Sequence, residues 1–305
     1  MNIFITGASG SMAHYLIEHI RQVEPSARIM GLARSGGVAG LAYYSFNLWA
    51  NSTHYLSTIL RDAQPDYLFH LASEAHVGES FDRPGDFVYS NIVGTLNLYE
   101  ALRRCVELRP RVILASTSEV YGNVPRARQP ILETEPFAPV NTYAITKCAQ
   151  EHLARFYMKA YGIPVVITRA FGYVNPRRDD LFLTAMAKQL VSSVGTIRHG
   201  NLKPVRTFCD VRDIAEAYWL AAKKGTPGEA YNIGSTDGHR LDSFLVRLIN
   251  LSGRETNMEL DQALVRQTDI DRCIPDTLKF RHTTGWQPKI NLDESLKWLL
   301  ANVGN

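Results

Sequence analysis

The sequence predicts an α/β protein in which a doubly wound parallel Rossmann sheet carries a smaller mixed α/β C-terminal lobe. Three observations predict this fold. Short apolar runs alternate with amphipathic stretches over the first two-thirds of the chain, as in repeated βαβ units. A glycine-rich turn lies between the first apolar run and the first amphipathic stretch. Beyond Ala170 the alternation stops, which indicates a second structural unit.

The candidate strands are short and apolar, as expected for strands that are buried on both faces of a parallel sheet. They cover residues 2–6, 28–33, 42–47, 67–71, 111–116 and 164–169. Helical periodicity covers residues 12–21, 53–63, 87–104 and 143–161. Right-handed crossovers place such helices on both faces of the sheet.

The change of pattern after Ala170 also predicts the domain organisation. We expect residues 1–170 to form a dinucleotide-binding domain, with residues 208–235 returning to it. Residues 171–207 and 236–305 are expected to form the substrate lobe. No low-complexity linker separates the two, so we expect a cleft between packed lobes.

Composition excludes several classes of protein. Of 305 residues, 45% are hydrophobic and 21% charged, and the net charge of +3 is too small to indicate a nucleic-acid partner. No apolar stretch approaches the roughly 20 residues of a membrane span, and no basic-apolar leader opens the sequence. We therefore expect a cytoplasmic protein. The four cysteines are dispersed and no metal-ligand spacing occurs, so neither disulfides nor a metal is expected.

The turn after the first strand reads TGASGSMA over residues 6–13. Gly7 allows a tight turn, Gly10 lets the backbone approach a pyrophosphate, and Ala13 permits close helix–strand packing. The start of the following helix offers free N–H groups to an anion. The pattern predicts a dinucleotide site, with a purely structural turn as the alternative.

The residues at the end of the second strand bear on which dinucleotide binds. An acidic residue there accepts hydrogen bonds from the ribose of NAD. This chain instead has Arg34 and Ser35, which suit a 2′-phosphate. We therefore expect NADP(H), unless Arg34 is only a solvated surface charge.

Four side chains suggest acid–base chemistry. Tyr143 and Lys147 lie at i and i+4 and so share one face of a helix, where an ammonium would lower the pKa of a phenol. The strand at 111–116 leads into Thr117 and Glu119, at the edge where an open α/β sheet binds its ligand. Thr117 can bond a sugar hydroxyl and Glu119 can act as a general acid or base. A structural turn with an exposed acid is the alternative.

Together these motifs resemble the extended short-chain dehydrogenase/reductase family, in its nucleotide-sugar branch. The resemblance extends over HLAS at 70–73, NIVGT at 91–95, STSEVYG at 116–122, YAITK at 143–147 and VRDIAEAYW at 211–219. The segments at 75–82 and 176–178 are similar to GDP-mannose 4,6-dehydratases. The segment at 200–213 and the C-terminal TGWQPKI are closer to GDP-4-keto-6-deoxymannose reductases.

The resemblance implies an NADP-dependent enzyme acting on a nucleotide-diphosphate sugar, with a GDP-hexose first. It implies that Tyr143 handles the C4 hydroxyl proton and that, in a dehydratase, Glu119 removes the C5 proton. It also implies a homodimer built through a four-helix bundle. The implied cofactor-binding residues are Gly7, Ser9, Gly10, Ser11, Met12, Arg34, Ser35, Asn47, Leu48, Leu71, Ala72, Ser73, Tyr143, Lys147 and Phe171. The implied substrate-binding residues are Glu74, His76, Ser118, Gly172, Arg177, Arg178, Arg206 and Arg266.

Two positions depart from the family pattern. Gly172 stands where an asparagine usually follows the aromatic residue, and Asn47 stands where aspartate is frequent. We expect a 4,6-dehydratase first and an NADPH-dependent 4-keto reductase second. A 4-epimerase, a decarboxylase or a non-catalytic dinucleotide-binding regulator are the remaining alternatives.

Overall fold

A computed structural model describes residues 1–34, 40–50, 52–192, 195–265 and 268–303. In these ranges, seven strands form one parallel sheet in the order β11-β6-β5-β4-β1-β2-β3. They are β1 (Asn2–Thr6), β2 (Arg28–Ala33), β3 (Ala42–Ser45), β4 (Tyr67–His70), β5 (Arg111–Thr117), β6 (Val165–Ala170) and β11 (Ala230–Ile233). The chain reverses its winding direction between β1 and β4, which is where a doubly wound sheet opens a ligand crevice. The predicted fold class is confirmed.

Helices cover both faces of the sheet. The main ones are α1 (Ser11–Val23), α2 (Thr53–Ala63), α5 (Gly94–Arg104), α6 (Thr142–Tyr161) and α8 (Val211–Lys224), and two short helices, α3 (Glu79–Asp82) and α4 (Pro84–Phe87), precede α5. On one face α1 and α8 pack on the alternate side chains Ile3 and Ile5 of β1. On the other face α2, α5 and α6 pack on Phe4 and Leu68. The period-2 alternation of strand side chains therefore produces two apolar layers.

The predicted helix over 87–104 is interrupted. Val88–Val93 form a π-helical turn before α5 begins at Gly94. The wider winding carries the buried Asn91, whose amide reaches the loop after β4. Such π-turns are often found at functional sites.

The remaining elements build the smaller lobe and its contacts with the sheet domain. They are β7 (Tyr173–Val174), α7 (Phe182–Val191), β8 (Thr196–His199), β9 (Val205–Thr207), β10 (Cys209–Asp210), β12 (Gly238–Arg240), α9 (Leu241–Ser252), β13 (Asn257–Leu260), α10 (Leu278–Thr284) and α11 (Leu292–Asn302). A third apolar cluster joins α7, α9 and α11. The segment after β6 begins with β7, which pairs with β10.

Candidate functional site

The turn between β1 and α1 is shaped by its glycines. Gly7 has φ +70°, and a Cβ there would lie 2.7 Å from the backbone nitrogen of Ala72. A Cβ on Gly10 would lie 3.0 Å from the Gly7 carbonyl oxygen. Gly10 also occupies the N-cap of α1, where no side chain accepts a hydrogen bond from the helix. The turn thus leaves the start of α1 open to an anion.

Other predicted cofactor residues surround this turn. Ser9 is exposed beside it, and the Ser11 hydroxyl accepts a hydrogen bond from the Asn175 amide at 3.2 Å. Asn47 accepts from the Trp49 backbone N–H at 3.2 Å, just before the buried Leu48. These residues lie near the ends of the first strands and do not cover the turn.

An ion pair occupies the end of β2. The Arg34 guanidinium lies 2.8 Å from the Glu74 carboxylate, which follows β4. Glu74, a predicted substrate residue, is therefore paired with the residue predicted to bind the 2′-phosphate. It is not among the residues that line the main cleft described below. Ser35, the other predicted 2′-phosphate residue, lies outside the described residues.

Asn91 organises the loop after β4. Its side-chain oxygen accepts from the Ser73 hydroxyl at 3.0 Å and from the Glu74 N–H at 2.8 Å. Its amide nitrogen donates to the Thr146 hydroxyl of α6 at 2.9 Å. Asn91 thereby joins a predicted cofactor loop to the helix that carries Tyr143. In the sequence, Asn91 is marked only by its place in the NIVGT motif.

A cleft of about 820 Å³ opens at the carboxyl ends of β4, β5 and β6, against the smaller lobe. All four predicted catalytic side chains line it. Predicted cofactor residues on its wall are Met12, Leu71, Ser73 and Phe171. Predicted substrate residues on its wall are His76, Ser118, Gly172, Arg178 and Arg206.

Thr117 and Tyr143 form a hydroxyl pair within the cleft. The Thr117 oxygen accepts the Glu119 backbone N–H at 3.3 Å and is hydrogen-bonded to the Tyr143 phenol. The Thr117 hydroxyl has one hydrogen to donate, and donating it to the phenol oxygen favours the ionised phenol. Burial nevertheless raises the pKa of Tyr143 above its ordinary value, with Thr117 and Arg178 acting in the opposite direction.

Lys147 is held away from the phenol. Its ammonium donates to the Ala115 carbonyl at 2.9 Å and lies 5.8 Å from the centre of the Tyr143 ring. Burial lowers the pKa of Lys147 to about 7, while the nearby Glu151 raises it. The expectation that Lys147 lowers the pKa of Tyr143 is therefore not met, because burial outweighs the neighbouring charges.

Glu119 is bonded to a residue that the sequence analysis missed. The Asn141 amide nitrogen donates to Glu119 Oε2 at 3.0 Å. Asn141 is also the N-cap of α6, where its side-chain oxygen accepts from the Ala144 N–H at 2.8 Å. An asparagine two residues before Tyr143 at a helix start is an N-cap signal that could have identified it.

Arg178 is the cation that faces Tyr143 from the smaller lobe. Its guanidinium pairs with Asp180 through two nitrogens and donates to the Ala75 carbonyl at 3.3 Å. Burial opposes its charge, but Asp180 and the phenols of Tyr173 and Tyr143 keep the pKa of Arg178 raised. Tyr173 is a further cleft residue for which the sequence offered no signal.

His76 lies near this pair on the same wall. Its ring nitrogen Nδ1 accepts the Glu79 backbone N–H at 3.1 Å, which holds the imidazole at the start of α3. Beside it, the hydrogen bond and charge of Arg178 lower the pKa of Asp180 against the effect of burial.

The opposite wall contains the remaining predicted substrate residues. Arg206 pairs with Asp269 at 3.0 Å, and Ser118 is hydrogen-bonded to the Cys273 thiol. Gly172 is required by packing, because a Cβ there would lie 2.4 Å from the Thr207 carbonyl oxygen. Any larger residue would push this wall outward.

Arg177, a predicted substrate residue, does not line the cleft. Arg177 is hydrogen-bonded to the Tyr15 phenol and so lies beside α1, on the side of the phosphate-binding turn. Arg266 lies outside the described residues.

Across the described ranges, no helix has the length and apolarity needed to cross a bilayer. In the same part of the chain, no group of three or more His, Cys, Asp and Glu residues is arranged to hold a metal ion.

Comparison with known proteins places the chain among nucleotide-sugar enzymes. Residues 50–299 match the family described as GDP-mannose 4,6 dehydratase. The GDP-6-deoxy-D-mannose reductase of Pseudomonas aeruginosa is 29% identical over 244 residues, covering 78% of this chain and 80% of the relative. The human dTDP-D-glucose 4,6-dehydratase is 29% identical over 324 residues, covering 99% and 91%.

A solved structure shows the same fold. RMD from Pseudomonas aeruginosa, complexed with NADPH, superposes with a TM-score of 0.86 at 24% sequence identity. The match covers 99% of this chain and 98% of that one.

Proposed function

The chain belongs to the GDP-mannose 4,6-dehydratase family, and from this premise we propose that it is an NADP-dependent 4,6-dehydratase acting on a GDP-hexose. The observation that carries the proposal is the meeting of Thr117, Tyr143 and Glu119 in one cleft. Elimination of water needs a second acid–base group beside the tyrosine, whereas reduction of a ketone does not. Glu119 is a carboxylate in the position to supply it.

The residues around the β1–α1 turn fit a nicotinamide dinucleotide. Gly7 leaves no space for a side chain, and the uncapped start of α1 suits a pyrophosphate. When bound, the dinucleotide supplies reversible hydride transfer. Arg34 supports NADP, since its guanidinium suits a 2′-phosphate and an acidic residue at the end of β2 is lacking. Glu74 competes for that guanidinium.

Tyr143 acts on the C4 hydroxyl of the sugar. The Thr117 hydrogen bond and the Arg178 charge both favour the ionised phenol, while burial opposes it. The ionised form of the phenol is the one that takes the C4 proton, and in a dry cleft the Arg178 charge has its greatest effect in favouring that form. Lys147, anchored on the Ala115 carbonyl, lies on the same face of α6.

Glu119 acts after the C4 ketone has formed. The ketone acidifies the adjacent C5–H bond, and the Glu119 carboxylate removes that proton. The C5–C6 double bond forms as the C6 hydroxyl leaves, and the proton on Glu119 passes to it to give water. This sequence uses one carboxyl group first as base and then as acid. For a net loss of one water, the hydride taken from C4 would return to C6 through the bound dinucleotide, and a proton would be added at C5 to balance the one that Tyr143 took.

The guanidinium groups on the cleft wall suit the diphosphate of the substrate. Arg178 and Arg206 face the cleft from its two sides, each oriented by an aspartate. We expect GDP to compete with substrate more strongly than UDP or dTDP.

A 4-keto-sugar reductase is the second candidate, because the Pseudomonas aeruginosa reductase covers most of this chain. In that reaction Tyr143 donates a proton to the C4 oxygen and Glu119 is dispensable.

Mass spectrometry of the product from GDP-mannose, without added reductant, separates the two candidates. We expect loss of one water. Tyr143→Phe should reduce either reaction by about 100- to 10,000-fold. Glu119→Gln should abolish the elimination alone, and Glu216→Gln on α8 serves as the carboxylate control. Unchanged GDP-mannose, with NADPH consumed on a 4-keto-6-deoxy sugar nucleotide, would establish the reductase instead.

We further propose a homodimer through α5 and α6. Ile145 and Phe156 of α6 are 52% and 54% exposed, and Tyr89 and Leu96 are exposed on the neighbouring helical segment. This apolar surface suits a four-helix bundle between two copies. Ile145→Lys should convert the dimer to a monomer in light scattering. An unchanged mass would argue against this interface.

A further inference from the structure

Asn141 has both ends of its side chain committed. It is 6% exposed and caps α6 through its side-chain oxygen, which accepts the Ala144 N–H at 2.8 Å. A backbone N–H can only donate, so the atom facing it must be the amide oxygen. The NH₂ group is therefore the end that faces Glu119, at 3.0 Å from Oε2.

This orientation restricts the carboxyl group. The NH₂ group is a donor and has no acceptor capacity, so Glu119 Oε2 must accept. This bond makes Oε2 the less favourable oxygen for a proton, so a proton on Glu119 resides preferentially on Oε1. The positive end of the 20-residue helix α6 also favours negative charge beside its first turn.

We propose that Asn141 is a positioning residue for the elimination step: its side-chain amide orients the Glu119 carboxyl group against the start of the helix that carries Tyr143. Asn141 and Tyr143 are two residues apart on one rigid element. The base at C5 and the tyrosine at C4 thereby keep a constant separation. The catalytic role of Glu119 rests on the proposed function; the hydrogen-bond arrangement does not.

Other ionisable groups face Glu119 and must be considered in any pH dependence. Tyr143 on α6 and Cys273 on the opposite wall both interact electrostatically with its carboxylate. Burial raises the pKa of Cys273 to about 11 and that of Tyr143 further, so both stay neutral near pH 7. The Arg206 charge acts on Cys273 from the same wall.

Asn141→Asp is the decisive variant. Asp caps helices as well as Asn does, so α6 should keep its start. The substitution removes the donor and places a second carboxylate against Glu119, and two such groups do not both ionise readily. We expect elimination at pH 7 to fall by about tenfold or more, and the acid limb of the pH–rate profile to move up by about one unit or more. Asn141→Ser, which caps without adding charge, should show a smaller loss and shift.

The matched control is Asn291→Asp. Asn291 caps α11 in the same way, by accepting the Glu294 N–H at 3.0 Å, and it has no contact with Glu119. It should leave rate and pH profile unchanged. Thermal unfolding checks that all variants are folded. If Asn141→Asp is unfolded, Asn141→Ser provides the test.

A readout independent of the reaction separates this inference from the proposed function. Carboxyl ¹³C NMR of glutamate-labelled protein, with the Glu119 signal assigned through Glu119→Gln, follows its titration directly. A shift to higher pH in Asn141→Asp supports the inference even if the wild-type enzyme eliminates no water. An unchanged titration curve of Glu119 in the folded variants overturns the inference. If the enzyme does eliminate water, a pH–rate profile of Asn141→Asp that matches the wild-type profile also overturns it.

Discussion

The buried ion pair between Arg169 of β6 and Glu151 of α6 makes a stability prediction that can be worked out from its contacts. The two side chains are 2% and 0% exposed, with Nε–Oε1 at 2.9 Å and Nη2–Oε2 at 2.7 Å. Arg169 also donates to the Tyr121 hydroxyl at 2.7 Å and the Glu133 carbonyl at 2.9 Å. The Ser116 hydroxyl donates to Glu151 at 2.6 Å. The pair joins α6 to β6 and, through the Ser116 hydroxyl, to β5.

Arg169→Met is the perturbation. It leaves the Glu151 carboxylate in the interior with only the longer, 3.8 Å contact to Arg155, which is 44% exposed. Such a change costs about 3–5 kcal/mol of unfolding free energy. The double variant Arg169→Met/Glu151→Leu removes both charges, and a buried pair replaced by apolar residues is often close to neutral. The hydrogen bonds to Tyr121, to the Glu133 carbonyl and from Ser116 are still lost, at about 1 kcal/mol each. We therefore expect the double variant to be more stable than Arg169→Met.

Urea unfolding followed by fluorescence and circular dichroism measures these differences, provided that the m-values agree. Arg83→Met is the control, because Arg83 pairs with Glu79 on the surface, where both side chains are about half exposed. It should unfold like the wild type. The buried-charge argument fails if Arg169→Met loses less than about 1 kcal/mol of unfolding free energy. It also fails if the double variant is less stable than both the wild type and Arg169→Met.

Three further predictions concern the cofactor site and Lys147. Gly7→Ala should weaken dinucleotide binding in calorimetry by at least about tenfold, because its Cβ meets the Ala72 backbone; Gly162→Ala has a similar φ of +69° in open space and should bind normally. Glu74→Gln should release Arg34 and tighten NADP binding more than NAD binding in fluorescence titrations, and an equal gain for both would contradict the assignment of Arg34 to the 2′-phosphate. Burial lowers the pKa of Lys147 to about 7 against about 10.4 in an unfolded chain, so the unfolded state binds more protons between these values. The unfolding free energy of the wild type should therefore rise with pH from about 7 to about 10 relative to Lys147→Met, and parallel urea-unfolding curves for the two proteins would refute the burial effect.

Features that depend on neighbours in the chain could be predicted from the sequence. The phosphate-binding turn is determined by two glycines within four residues of each other. At Gly7 the turn leaves no space for a side chain. Tyr143 and Lys147 share a face because any α-helix places i and i+4 together. Strand limits were also close, with 42–47 ending early at Ser45 because the chain leaves the sheet there.

Features that depend on burial and on distant partners were decided by the tertiary structure. Arg34 meets Glu74 only because β2 and β4 flank β1, and Asn141 meets Glu119 across 22 positions of chain. The pKa of Lys147 follows from its depth in the cleft, which the i and i+4 spacing does not report. Residue spacing along one helix is a local property, whereas desolvation and charge pairing arise only once the sheet brings its strand ends together.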